Sequence, residues 1–260
     1  RRMTDKVHGL DQESYHLVLL CENRKGYENL CYMVSEAFLQ GFYGKPRIDL
    51  ELLEQHHEGL IALSACLGGA IPQALLHEDY QGARAYALRL SELFGPDRFY
   101  LELQDHGIEA QRPVNQGLQR LAREEGLPLV ITNDAHYLRK EDADMQDVLL
   151  CIQTGKTVDD QNRMRFETQE FYLKSEEELR ALFPGCDEAF SNTQKIADMC
   201  NVEFTFHQYH LPAYPVPEGD TNEEYFRKLC YEGFRERYPE QPEEYRERME
   251  DDRSAPSWLK

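Results

Sequence analysis

Residues 127–137 have the sequence LPLVITNDAHY, and this stretch indicates the fold more directly than any other. Its apolar, β-branched first half is typical of a buried strand, and helical patterns lie on either side of it. The run stops at Asp134 and His136, which can point the same way in extended chain and suit a divalent metal. In the alternative interpretation, Asn133 or Asp134 caps the next helix and His136 packs against it.

Three further strands are predicted upstream, and helical patterns separate all four. The strands cover residues 15–20, 59–63, 98–103 and 127–131, and the helices cover 26–39, 49–55, 70–76, 80–94, 111–125 and 141–152. This alternation predicts an α/β protein with a parallel sheet. Because a closed (β/α) barrel needs about seven or eight strands, we expect a barrel whose N-terminal part lies outside this sequence.

Composition limits the classes of protein to consider. The chain has 260 residues, of which 41% are hydrophobic, enough for a sizeable core. The formal charge is 29 − 48 = −19, so most of the surface repels nucleic-acid phosphates and any contact with DNA must be local or come from another domain. Seven cysteine residues without regular spacing favour reduced thiols. The lack of a membrane-length apolar run or a secretory signal in the sequence predicts a cytoplasmic protein without membrane contact.

Polar side chains follow three of the predicted strands. Cys66 follows the second strand, Glu102 and His106 belong to the end of the third, and Asp134 with His136 follows the fourth. In a parallel sheet these positions share one edge, so each strand delivers a group that can bind a metal.

His16 lies at the start of its strand instead of the end. Strand direction alone therefore places it away from this edge, as a half-buried histidine residue.

The chain changes in character after Gly155. Two capping boxes, Ser175 with Glu178 and Thr221 with Glu224, predict helix starts. Three proline residues within 209–219 favour a domain boundary, and residues 239–260 are highly charged without a recognisable element.

Several segments resemble one protein family in consistent order from about Tyr15 to Tyr238. They are YHLVLL (15–20), KPRIDLELLEQHHEGLIALSACLGG (45–69), FYLELQDHGI (99–108), PLVITNDAHYLRKEDADMQDVLLCIQTGKT (128–157), FYLKSEEEL (171–179), NTQKIADMCNVEF (192–204) and YHLPAYPVPEGDTNEEYFRKLCYEG (209–233). The family is the alpha subunit of the bacterial replicative DNA polymerase III. The resemblance implies an incomplete distorted (β/α)7 barrel of the polymerase-and-histidinol-phosphatase (PHP) type over residues 1–206. A linker and the start of the polymerase palm region follow over residues 207–260.

The resemblance also implies a partial metal site. Four positions match the family's metal ligands, namely His16, Cys66, Asp134 and His136. The resemblance thus assigns His16 to the site despite its place at the strand start. The family's other ligand motifs, His-x-His and Thr-Asp-His-Gly among them, belong upstream of Arg1 and are absent. A thiolate with two imidazoles favours zinc or a manganese-like ion, whereas the parent polymerase would use magnesium.

The function implied is DNA-directed DNA synthesis in replication by the parent protein, with a PHP site of metal-dependent phosphoesterase or 3′–5′ exonuclease type. Implied partners are DNA, deoxynucleoside triphosphates, a proofreading exonuclease and a sliding clamp. We expect this chain alone to be inactive, and its catalytic residues are not assigned. Two alternatives stay open: a non-catalytic structural platform for the polymerase and its partner subunits, and a free-standing PHP-superfamily phosphoesterase. The palm-like segment 209–238 disfavours the latter.

Overall fold

The computed structural model describes residues 2–11, 14–209, 212–240 and 243–254. It divides into two compact units, Arg1–Phe204 and Thr205–Lys260. The first unit contains the sheet and eight of the helices in the described residues. No helix in the described part of the chain is long and apolar enough to cross a membrane.

The strands and helices alternate much as the sequence pattern predicts. The strands are β1 (Val18–Cys21), β2 (Leu60–Leu63), β3 (Phe99–Leu103) and β4 (Leu129–Ile131). The helices of the first unit are α1 (Arg24–Leu39), α2 (Leu50–His56), α3 (Ala70–Leu76), α4 (Tyr80–Phe94), α5 (Gln111–Glu125), α6 (Ala143–Thr154), α7 (Glu176–Leu182) and α8 (Asp187–Met199). The second unit contains α9 (Asn222–Arg237) and α10 (Glu243–Ser254). Helix α10 shows that the prediction of no element after residue 239 was wrong.

The sheet has the order β1-β2-β3-β4, and its direction corrects the prediction of an all-parallel sheet. Strands β2, β3 and β4 are parallel, with Leu101 paired to Leu129. Strand β1 is antiparallel to β2, with Val18 paired to Leu63. The start of β1 therefore lies at the edge where β2, β3 and β4 end.

Contacts at the opposite edge of the sheet hold β1 in this direction. The carboxylate of Glu22, just after β1, accepts two hydrogen bonds of 2.8 Å from the guanidinium of Arg98, just before β3. Helix α1 begins against the start of β2, where a Cβ on Gly26 would lie only 1.8 Å from the carbonyl oxygen of Gly59. Only glycine allows this approach.

The core lies on both faces of the sheet. Alternate residues of β2 belong to different clusters: Leu60 and Ala62 pack under α1–α5, whereas Ile61 and Leu63 pack with Tyr100, Val130 and Ile196. Because both faces are covered, every residue of β2 is buried.

Side-chain caps fix several of the helix starts. Asp49 caps α2 through Leu52 N, and both predicted capping boxes are present, at Ser175 and at Thr221. The local sequence therefore determines these boundaries.

Candidate functional site

His16 and Cys66 meet at the carboxyl edge of the sheet. The antiparallel direction of β1 brings His16 beside the turn that follows β2, so its Nδ1 lies 3.5 Å from the Cys66 Sγ. The backbone N–H of His16 also donates to Gly68 O at 2.9 Å. Strand direction in an all-parallel sheet would have kept His16 away from this edge, and the observed topology overturns that expectation.

The turn Ser64–Gly69 needs its glycine residues for this approach. A Cβ on Gly68 would lie 3.1 Å from His16 Nδ1, and a Cβ on Gly69 would lie 2.2 Å from the Ser64 carbonyl oxygen. Ala65 has a φ of 64°, a left-handed conformation that an alanine residue adopts at a cost. Burial raises the pKa of the neighbouring Cys66 thiol.

Asp134 and His136 form a second pair after β4. Asp134 Oδ1 lies 3.5 Å from His136 Nε2, and the two side chains are 34% and 42% exposed. Asp134 has a φ of 45°, a conformation that aspartate tolerates better than most residues. Neither Asn133 nor Asp134 caps a helix, because a 3-10 turn spans Lys140–Asp142 and α6 begins only at Ala143.

Aromatic rings surround the imidazole of His136. Its ring centroid lies 4.7 Å from that of Phe166 and 5.6 Å from that of Phe171. The other side of Phe171 stacks on His106 at 4.3 Å with an interplanar angle of 5°. The sequence pattern did not single out Phe166 or Phe171.

His106 is buried and both of its ring nitrogens are occupied. Nε2 donates to Asn133 O at 2.7 Å, and Nδ1 accepts from Gln111 Nε2 at 2.8 Å. This pattern corresponds to the neutral imidazole, and burial lowers the pKa of His106. His106 is therefore a structural residue, although it follows a strand in the same way as the other candidates.

Glu102 lies beneath the two pairs and is only 4% exposed. Its Oε1 accepts from Thr132 Oγ1 at 2.5 Å and from Gln104 Nε2 at 2.9 Å, while its backbone N–H donates to Ser64 Oγ at 2.8 Å. Burial raises the pKa of Glu102. An acidic residue inside the apolar run FYLEL was the signal in the sequence that could have predicted this network.

The four candidate ligands thus form two pairs. Within the described ranges of the chain, no group of three or more His, Cys, Asp and Glu side chains is arranged to hold a metal ion. The donor chemistry suits zinc, but two donors do not make a structural zinc site, which takes four ligands as a rule. The four residues stay predicted ligands, and the geometry supports no catalytic step through a metal.

A comparison with known protein families places part of the chain in a domain class. A model of the PHP domain matches residues 3–106, which include His16 and Cys66. Residues 3–106 thus match a PHP domain, and the described chain has a mixed α/β fold.

The relatives then identify the family more closely. The chain is 47% identical over 247 residues to DNA polymerase III subunit alpha of Thermus aquaticus. The aligned region covers 92% of this chain and 20% of that protein. It is 44% identical over 250 residues to the same subunit of Treponema pallidum, covering 96% of this chain and 21% of that protein. The chain is therefore homologous to a segment of DNA polymerase III alpha subunits and spans about a fifth of their length.

Proposed function

We propose that this chain is the PHP-domain segment of a replicative DNA polymerase alpha subunit, whose parent extends DNA from deoxynucleoside triphosphates with magnesium. The observation that carries this proposal is the continuous similarity to the Thermus aquaticus subunit along 92% of the chain. Residues 1–206 would form part of a distorted PHP barrel, and residues 207–260 a linker and the start of the palm. DNA, a proofreading exonuclease and a sliding clamp would bind through the whole cytoplasmic protein.

The His16–Cys66 and Asp134–His136 pairs would be this chain's share of a metal-dependent phosphoesterase site of 3′–5′ exonuclease type. A thiolate and two imidazoles favour zinc or a manganese-like ion. When present, such an ion would make a water molecule attached to it more acidic than free water. This chain's part is to position the four donors at one edge of the sheet.

A chimera tests the polymerase assignment. The matched segment of the Thermus aquaticus subunit is replaced by this chain, and primer extension is measured with magnesium. We expect extension within about tenfold of the unaltered subunit, because the segment contributes folding and docking and no palm carboxylate. A soluble, folded chimera without extension would contradict the proposal, as would extension by this chain alone.

A substitution at Asp134 tests the metal site in the same chimera. Asp134→Asn keeps a side chain that tolerates the left-handed backbone but removes the carboxylate charge. We expect loss of 3′–5′ exonuclease with extension unchanged. Asp144→Asn on α6 is the matched control, because Asp144 is an exposed aspartate outside the two pairs. If Asp134→Asn retains as much exonuclease activity as the Asp144→Asn control, the metal-binding role of Asp134 is contradicted.

One observation favours the second candidate function, a structural platform. Helix α6 exposes Met145, Val148, Leu149 and Ile152 by 68%, 44%, 56% and 73%. Their i, i+3, i+4, i+7 spacing is that of an apolar helix face, which is normally covered.

Lysine substitution tests this platform function. Ile152→Lys in the chimera should weaken extension if the face docks onto the rest of the polymerase. Leu39→Lys, on an equally exposed residue of α1 (73%), should leave extension unchanged. Equal effects of the two variants would count against the platform.

A further inference from the structure

Two acceptor atoms beside the site are buried without a partner. Glu102 Oε2 and Gln104 Oε1 make no hydrogen bond to any residue that the structure describes. Glu102 is 4% exposed and Gln104 is 7% exposed, so bulk water does not solvate them. A buried unpaired acceptor costs about 1–3 kcal/mol, so two side by side need a physical explanation.

The two atoms belong to groups that are already joined. Gln104 Nε2 donates to Glu102 Oε1 at 2.9 Å, which leaves the second oxygen of the carboxyl and the oxygen of the amide unused. Both are acceptors when Glu102 is ionised, so they cannot pair with each other. A proton on Oε2 turns the carboxyl into a donor and lets it bond to Gln104 Oε1.

We propose that Glu102 is a neutral carboxylic acid that forms a two-bond acid–amide pair with Gln104, and that this pair is a positioning element for the candidate site. One proton on Oε2 would then give both unpaired atoms a partner. Burial supports the neutral form as well, because it has the largest effect on the pKa of Glu102 and raises it, while the negative charge of Asp134 raises it by the smallest amount. The hydrogen bonds from Thr132 and Gln104 to Oε1 oppose these effects, as does the nearby N–H of Ala65.

The positioning role follows from where the pair is attached. Thr132, which donates to Glu102, lies two residues before Asp134. Ser64, which accepts from the Glu102 backbone, lies two residues before Cys66. Glu102 on the middle strand β3 thus links β2 and β4 directly beneath the two donor pairs. This role rests on the proposed function, but the acid–amide pair does not.

The competing explanation is an ionised Glu102 with a bound water. A cavity of about 10 Å³ lies between Glu102, Gln104 and Cys66, which is about the volume that one water needs. Such a water would donate to both acceptors, and the carboxylate charge would stay.

Substitutions separate the two explanations. Glu102→Gln mimics the neutral acid, since its amide can donate to Gln104 Oε1 as the acid does. At pH 7 we expect its unfolding equilibrium constant, from urea denaturation, to stay within about threefold of wild type or to fall, whereas an ionised Glu102 predicts a rise of about tenfold or more. Gln104→Glu should raise the constant by about tenfold or more, because it places two carboxyls together. The double variant with Glu102→Gln should reverse most of that rise, since acid and amide only exchange places.

The pH dependence gives an independent test. If the pKa of Glu102 is raised in the folded chain, the stability that Glu102 contributes is lost as pH rises above about 4.5, whereas Glu102→Gln has no such contribution to lose. The stability of the variant relative to wild type should therefore rise between pH 4.5 and 7. A relative stability that falls with pH would mean a lowered pKa and would overturn the proposal. Glu92→Gln, at an exposed position on α4, is the charge control and should show no such trend.

The positioning role has its own readout, which needs no metal, DNA or partner. In the isolated chain, Glu102→Gln should leave the side-chain NMR signals of His16 and His136 in place. Glu102→Leu removes the acceptor for Thr132 and should shift the His136 signals in a chain that still unfolds cooperatively. Unchanged signals in a folded Glu102→Leu chain would contradict the positioning role, whatever the outcome of the chimera experiments.

Discussion

The two edges of the sheet are built differently. At the amino edge of β2 and β3 the charged groups are paired, Glu22 with Arg98 at 2.8 Å and Asp97 with Lys195 at 2.6 Å. Left-handed backbones occur at both edges, at Ala65 and Asp134 on the carboxyl edge and at Asp97 on the amino edge, so they do not distinguish the two. Unpaired buried acceptors lie beneath the carboxyl edge. Buried unsatisfied groups persist only where the surrounding structure holds them, and in α/β folds the carboxyl edge carries the function. Ion pairs therefore neutralise the charges at one edge, whereas two buried oxygens, Glu102 Oε2 and Gln104 Oε1, lack partners beneath the other edge, where the predicted donors lie.

The largest expected effect is at the amino edge. Gly26→Val would place a Cβ 1.8 Å from the Gly59 carbonyl oxygen, and both groups belong to the backbone, which cannot move aside as a flexible side chain can. We expect a loss of more than about 3 kcal/mol in the free energy of unfolding, measured with urea. Gly233→Ala is the control, because a Cβ there meets nothing within 4 Å. It should be neutral or stabilise by up to about 1 kcal/mol. A well-folded Gly26→Val chain would show that this edge does not fix β1.

A smaller loss is expected at the carboxyl edge from Thr132→Val. The substitution keeps the shape but removes the hydroxyl that donates to Glu102 at 2.5 Å. We expect a loss of about 1–3 kcal/mol, because the acceptor beneath the site stays buried. Thermal and urea unfolding of the isolated chain measure it. Thr193→Val, on α8, is a matched control with a longer bond of 3.3 Å to Ile131 O and should cost less.

The ion pair at the amino edge should contribute less still. Glu22→Gln weakens the hydrogen bonds to Arg98. Because the Arg98 side chain is 41% exposed, we expect a loss of only about 0.5–1 kcal/mol in the free energy of unfolding. Hydrogen bonds from Arg98 lower the pKa of Glu22, so its contribution is present at neutral pH and is lost as pH falls below about 4.5. The stability difference from wild type should therefore shrink in acid. This sign is opposite to that expected for Glu102, so parallel pH profiles of Glu22→Gln and Glu102→Gln would contradict the contrast between the edges.

The smallest effect should come from removing metal. The donors form two pairs, so we expect the dialysed chain to retain less than about one zinc ion and a chelator to leave its melting temperature unchanged. Elemental analysis and thermal unfolding measure this. Tight retention of two or three ions would show that the site is more complete in this chain than two pairs allow. Cys66→Ser is the control for zinc bound at the thiol.

Much of the fold was predictable from local patterns. Helices at 70–76, 80–94 and 111–125 have the predicted bounds, and the capping boxes at Ser175 and Thr221 are confirmed. These features depend on neighbours in sequence, where periodicity and capping act. The direction of β1 depends on contacts between Gly26 and Gly59, and between Glu22 and Arg98, which periodicity cannot detect.

Local sequence patterns were enough to predict the α/β class, the four strands and the donors Cys66, Asp134 and His136, and the family resemblance added His16. The folded chain was needed to show that His16 lies beside Cys66, that both ring nitrogens of His106 are hydrogen-bonded and that Glu102 links β2 and β4. This is because the residue type sets the chemistry of each side chain, whereas strand direction and burial determine which side chains come into contact and which ones stay ionised. Those depend on partners far apart along the chain.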